Sequence, residues 1–359
     1  ALYDGNGNLL VDYTPVVFDD EPVLPEAIDG HRAPSAYQTV EELYVAGLRA
    51  DQFNNARLNY MDYYNEALRR DPDDARGNIE VGKHYIRTGE FEKAIAHLLK
   101  AQTRLSHDYT RVKDAEALLY LGTAYKYLGN EHEAENAYWA ATWNYAYKHR
   151  ALYELSALEI RKGNLSRALE LIDESLLLGG HDLQSLSLKA YIQRKLGISS
   201  DETIRLAQSV DPLDYWSAVE RTLADGTTAD YIRIQKPRRN GGIIAVQEIL
   251  EVVNNYLSVN DYTDAMAVLR AAVSAGAPYD RYPLVYYYIA YCQHRTGDKE
   301  GAASTMKGAN KLSPVNNFPM RIEEVNLFED LIAVDPDNSY AYYYQGCLLR
   351  YLGQPDAAL

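Results

Sequence analysis

Cysteine is almost missing from these 359 residues: Cys292 and Cys347 are the two present, and no CxxC occurs. That pattern supports neither a disulfide framework nor a zinc motif built on paired cysteines. Long apolar runs are missing too, none reaching the roughly 18 residues that a membrane helix needs. Positive charge is in deficit. Lys and Arg number 36 against 51 Asp and Glu, a formal net charge of -15 spread along the chain. Nucleic acid demands a basic footprint, which this balance argues against. The one basic cluster, Lys236, Arg238 and Arg239 in "KPRRN", is too short to reverse it and reads as a solvated loop. No secretory signal is visible, which favours a cytoplasmic location, although the chain opens on Ala1. Phe and Trp are scarce, at 5 and 3 residues.

Tyrosine takes their place, with 32 residues. An apolar ring with a polar tip suits half-buried positions and recognition surfaces. The tyrosines fall within a pattern of small residues. In "LLYLGTAYKYLGNEHEAENAYWAA" (118–141) the pattern is Gly122, Tyr125, Gly129, Ala134, Tyr138 and Ala141. It returns over 79–101 as Gly82, Tyr85, Gly89, Phe91, Ala94 and Ala101, and over 153–175 as Leu155, Gly163, Ala168 and Ile172. Ala290, Gly297, Ala302 and Ala309 repeat it over 287–309, and Gly346, Gly353 and Ala358 over 343–358. A first small residue precedes the turn glycine by seven positions, and a second follows it by five. Gly122 and its counterpart Ser156 stand 34 apart, a period that holds two helices and a turn.

Each part of the pattern has a packing reason. Glycine ends the first helix, where a left-handed residue is needed. The small residues let two antiparallel helices cross closely. Asp71-Pro72, Asp211-Pro212 and Asp335-Pro336 mark helix exits, because proline cannot continue the ladder. A single hairpin leaves an apolar face uncovered, so stability must come from stacking. The residues and their period resemble the tetratricopeptide repeat, which implies an all-α solenoid, a right-handed superhelix of antiparallel helix pairs.

Ahead of the array, "ALYDGNGNLLVDY" (1–13) reads as a β-hairpin, expected to be the remnant of an upstream domain. Residues 14–38 follow as a linker with Pro15, Pro22, Pro25 and Pro34. A first array is expected over 39–225, a loop over 226–242, and a second array over 243–359 that stops inside its last hairpin. The phrases "EELYVAGLRADQFNNA" (41–56), "YYNEALRRDPDDARGNI" (63–79), "DPLDYW" (211–216) and "SYAYYYQGCLLRYLG" (339–353) resemble a narrower group. It is an uncharacterised bacterial family in which a β-sandwich similar to galactose mutarotase precedes a long repeat array. That resemblance implies a tie to carbohydrate handling through the upstream domain, and it carries over no catalytic residue.

In tetratricopeptide arrays the first helix of each pair lines a concave groove. The candidate binding residues at those positions are Glu80, Lys83 and Arg87, then Tyr120 and Tyr127, then Arg161. The series continues with Tyr288, Tyr291 and Arg295, then Tyr344 and Tyr351. Tyrosine with arginine is the composition of binding hot spots, while tyrosines filling gaps between repeats is the plainer reading. A clamp for a terminal carboxylate needs Asn or a cation where Glu80, Tyr120 and Glu154 stand, which argues against it.

Catalytic chemistry has weak signals. The eight histidines are dispersed, and His132-Glu133 lacks the second histidine of a zinc-protease helix. Acidic groups at Asp19–Glu21 and Asp71–Asp74 sit in a linker and at a helix exit, where Asp caps. No catalytic residue, metal ligand or cofactor motif is assigned. The expectation is a non-catalytic scaffold whose concave face binds a protein segment or packs on its own upstream domain. The alternative is an accessory region of a larger carbohydrate-active enzyme. A glycan ligand and a homo-oligomer stay open, without nucleic acid or membrane.

Overall fold

The computed structural model describes residues 1–16, 32–53, 57–108, 111–238 and 243–359. The acidic group Asp19–Glu21 and most of the expected linker fall outside them. β1 (Leu2–Tyr3) and β2 (Leu9–Val11) pair antiparallel, and the Asp4 carboxylate accepts from the backbone amides of Asn6 and Asn8 in the turn. Among the described residues everything else with regular structure is helical.

The array begins as the small-residue pattern requires. Thr39 and Glu42 form a reciprocal capping box at the start of α1 (Val40–Gln52), which turns back through α2 (Tyr60–Arg70). Asp71 closes α2, and Asp74 accepts from the Gly77 amide at 2.7 Å to open α3 (Ala75–Thr88). The aspartates around Pro72 are therefore caps. α4 (Phe91–Ser106) completes that hairpin, and the stack proceeds with α5 (Glu116–Tyr127) and α6 (Glu131–Ala141), then α7 (Tyr145–Arg161) and α8 (Leu165–Leu178). Next come α9 (Leu183–Lys195) with α10 (Asp201–Val210), and α11 (Tyr215–Asp225) with α12 (Thr228–Arg238). After these, α13 (Ile243–Ser258) pairs with α14 (Tyr262–Ser274), and α15 (Pro283–Arg295) with α16 (Lys299–Ala309). α17 (Glu323–Val334) and α18 (Ser339–Tyr351) end the helical part. Helices adjacent in sequence pack on one another, except that α12, among the described residues, packs on α11 and α14 and not on α13.

The crossings explain the small residues. A Cβ on Gly82 would stand 2.6 Å from Leu98 Cγ, and one on Gly122 would enter the Tyr138 ring. At the third crossing the Ser156 hydroxyl donates to the Ala168 carbonyl at 2.9 Å, so a polar residue fits because it finds a partner. The turn between α5 and α6 passes through Gly129 at φ 74°. The equivalent turn between α13 and α14 uses Asn260 at φ 59°, the residue type besides glycine that tolerates that region best.

Two expectations need correction. The stretch 226–242 was expected as a loop, yet α12 occupies Thr228–Arg238. Ile232 is fully buried there, and the Tyr231 ring packs 5.5 Å from Tyr215. So little apolar content gives a weak periodic signal, and the core that holds this helix comes from its neighbours. The second correction concerns the groove. α17 has no hairpin partner of the usual spacing, since Pro314 and Pro336 stand 22 residues apart instead of 34. Its first turn lies against the inner sides of α13 and α15. Arg321, 7% exposed, donates to the Gln247 side chain at 2.6 Å and to Glu251 at 2.7 Å. Glu324, fully buried, accepts from the Tyr288 hydroxyl at 2.9 Å.

From that position α17 also reaches the early hairpins. Tyr127 donates to Glu323 at 2.8 Å, and Asn326 donates to the Tyr127 carbonyl at 3.1 Å. Ile322 and Val325 crowd Gly89, and Gln354 donates to the Thr88 carbonyl. The solenoid thus curls until its late helices touch its early turns. Ion pairs tighten the curl in between. Arg194 joins Glu220 at 2.6 Å and Asp264 at 2.7 Å, and Lys195 joins Asp261 at 2.6 Å.

Candidate functional site

Four of the candidate residues meet at one place. Tyr127, Arg161, Tyr291 and Arg295 line a cavity of about 330 Å3 between the inner ends of α5, α7, α13 and α15, with α17 and the first residues of α6 and α14 completing the wall. The repeat places Tyr127, Arg161 and Arg295 just before a hairpin bend, with Tyr291 one turn above Arg295, and the curl brings those bends together. Tyr127 stacks on Phe91 with ring centroids 4.8 Å apart and planes 8° from parallel. Burial, then the facing Glu323 carboxylate, pushes the Tyr127 hydroxyl well above the ordinary tyrosine pKa. It is a neutral donor at every physiological pH.

Arg161 is fixed from two sides. Its Nε donates to the Ser258 carbonyl at 2.8 Å, and its Nη1 meets Glu131 at 3.1 Å. Arg295 lies over two rings, its guanidinium carbon 5.3 Å from the centroid of Tyr262 and 5.8 Å from that of Tyr291. Its Nη1 pairs with Asp330 at 3.2 Å. Burial pulls the Arg295 pKa down, but Tyr291, Tyr262 and Asp330 more than offset it, so the group stays charged. Tyr262 and Tyr291 meet edge to face at 6.0 Å and 76°. Burial raises the pKa of both hydroxyls.

A second group of candidates forms a ladder instead of a pocket. Glu80, 4% exposed, binds Lys83 at 2.9 Å, and Lys83 goes on to Glu116 at 3.1 Å and lies 5.5 Å over the Tyr120 ring. Arg87 reaches back to Asp51 at 3.1 Å and covers Tyr60 at 5.5 Å. These side chains tie neighbouring hairpins together along the inner face. Burial raises the Glu80 pKa against the pull of Lys83.

Tyr288 and Tyr344 are corrections. Both are fully buried: Tyr288 is held by Glu324 and Asn254, and Tyr344 packs 5.3 Å from Tyr287 and 6.1 Å from Phe328. They are core because α17 and α18 cover the face that an open groove would have left free. Tyr351 lies elsewhere again, 66% exposed, in a wide aromatic groove on α18 with Phe318, Tyr342 and Tyr343.

Tyr262 and Asn326 are among the cavity residues that the repeat rule did not reach. Tyr262 opens a second helix, and Asn326 belongs to a helix outside the hairpin series. The pair Asn260-Asp261 ahead of "YTDA" is the one local cue, a turn residue where glycine is usual. Among the described residues no group of three or more His, Cys, Asp or Glu is arranged to hold a metal, and no helix is long and apolar enough to cross a membrane.

Tetratricopeptide repeat family models match residues 62–109 and 253–317, and a further one matches 327–359. The chain therefore carries tetratricopeptide repeats in both halves. Solved structures resemble it at low identity. A tetratricopeptide repeat protein from Parabacteroides merdae is 16% identical, covering 82% of this chain and 98% of its own, with a TM-score of 0.44. The C-terminal part of a repeat protein from Cytophaga hutchinsonii is 13% identical over 84% and 96%, with a TM-score of 0.42. Pseudomonas aeruginosa pilF is 17% identical over 62% and 96%, with a TM-score of 0.45.

Proposed function

We propose that this tetratricopeptide chain is a non-catalytic interaction scaffold, and that its partner is a protein segment docking on the aromatic face of α18. The observation that carries this reading is the exposure of that face. Phe318, Tyr342, Tyr343 and Tyr351 are between 48% and 66% exposed and lie together around Gly346, the crossing position that a second helix covers in the earlier hairpins. A contiguous exposed aromatic patch on a folded chain marks a binding surface, and Tyr beside Arg350 has the composition of a hot spot. The proposal moves the binding surface from the concave groove to the last helix, because Tyr288 and Tyr344 of the groove are sealed in the core.

The test is affinity capture from the native host with the full chain and with a Tyr342→Ala, Tyr343→Ala, Tyr351→Ala variant. Loss of a specific partner with an unchanged helical melting curve supports the reading. Capture that survives the triple variant, or is lost equally on replacing the exposed Leu177 on α8, refutes it. The carbohydrate-enzyme alternative rests on the sequence resemblance alone.

A further inference from the structure

We infer that the cavity closed by α17 binds a small, uncharged, polyhydroxylated molecule. This goes beyond the scaffold reading and uses other residues. The first argument is charge. Each cation at the wall already faces its own carboxylate: Arg161 faces Glu131 at 3.1 Å, Arg295 faces Asp330 at 3.2 Å, and Lys126 faces Glu154 at 2.7 Å. An anionic ligand must compete with those carboxylates, and a cationic one must approach guanidiniums. A neutral ligand disturbs neither.

The second argument is hydrogen-bonding capacity. A guanidinium carries five N–H donors. The contacts made among the described residues engage Nε and Nη1 of Arg161, and Nη1 alone of Arg295. Nη2 of each thus has capacity to spare. Carboxylates accept at several lone pairs, so Glu131 and Glu323 retain acceptor sites. A wall that offers fixed donors and fixed acceptors side by side suits hydroxyl groups, which do both at once.

The third argument is shape. Tyr262, Tyr291, Leu257 and Leu327 supply apolar wall beside these polar groups, which suits the C–H surface of a ring-shaped polyol between its hydroxyls. About 330 Å3 is at the low end of ligand-pocket volumes, the size of a molecule of one or two rings. The wall groups belong to seven helices, and the charged ones are already held by their own bonds, so little ordering remains to oppose binding.

The experiment titrates the full chain with glucose, myo-inositol and maltose, and separately with acetate, inorganic phosphate and glycine, using calorimetry and saturation-transfer NMR. At least one polyol should bind with Kd below about 1 mM. Arg295→Gln, at a partly exposed position, and Tyr262→Leu should each weaken it tenfold or more while the Arg295→Gln melting curve stays in place. The inference is overturned if none of the three polyols binds, if a charged probe binds more tightly, or if both variants bind as the parent does. The α18 tyrosine variant should bind the polyol normally, which separates failure here from failure of the scaffold reading.

Discussion

Gly122 shows how little room the crossings leave. Its missing side chain is what admits the Tyr138 ring, itself fully buried with its hydroxyl near Thr123. Overpacking of this kind costs about 1–3 kcal/mol, so Gly122→Ala should lower the unfolding free energy by that amount, read as a lower urea midpoint. Gly308, with nothing near its Cβ position, should accept alanine without loss. Glu154 makes the second residue-scale case. Burial pushes its carboxyl up, but Lys126 and Arg150 reverse the effect, and its pKa ends below the ordinary value. A depressed folded-state pKa means stability that is present above the usual glutamate value of about 4.3 and lost as pH falls through the folded value. Glu154→Gln should therefore cost about 3 kcal/mol at pH 7, and that difference should shrink in urea titrations below about pH 4. Glu220 and Glu324 shift the other way, raised first by burial, so their protonation favours the folded state as pH drops toward 4.3.

Among the elements, α17 stands apart. Spacing made the hairpins readable, because each crossing and each turn repeats a residue type. α17 has no such repeat, and a reading based on period included it in the second array without marking it as different. Its partners lie up to 199 residues away, a separation that local pattern does not encode. The same limit governs the site. Tyr127, Arg161, Tyr291 and Arg295 were legible because the repeat fixes which side of a first helix faces inward. The plainer reading, tyrosines filling gaps between repeats, holds for Tyr288 and Tyr344, but which tyrosines would be sealed was not legible, since the cover comes from an element outside the pattern. Removing the Arg321 side chain should cost about 3 kcal/mol, because Glu324 would remain buried beside Tyr288 without its cation. Chemical denaturation of Arg321→Ala checks this. An effect under about 1 kcal/mol, that of an exposed pair, would mean that α17 is only loosely seated.

At the scale of the molecule, contacts between the early turns and the late helices make a closed figure of what is usually an open stack. A simple repeat array interacts through nearest neighbours alone, and its segments can open independently. Here Tyr127–Glu323, Asn326–Tyr127 and Gln354–Thr88 add terms between hairpins far apart in sequence. Hydrogen exchange should show matched protection in the last turn of α5 and the first turn of α17. The double variant Glu323→Ala, Asn326→Ala should expose both together and increase the hydrodynamic radius. The melting temperature should fall little, since the hairpin crossings are untouched. A radius that does not change would mean the crossings alone set the curvature.

The bonds between Thr88 and Gln354 and between Tyr127 and α17 also change how the molecule responds to load. An uncoupled superhelix stretches like a soft spring, each hairpin yielding a little. Clasped across its own opening, this one behaves as a stiff ring at low tension. It lengthens only after the clasp ruptures, so a pulling experiment should record one sharp early break followed by compliant extension.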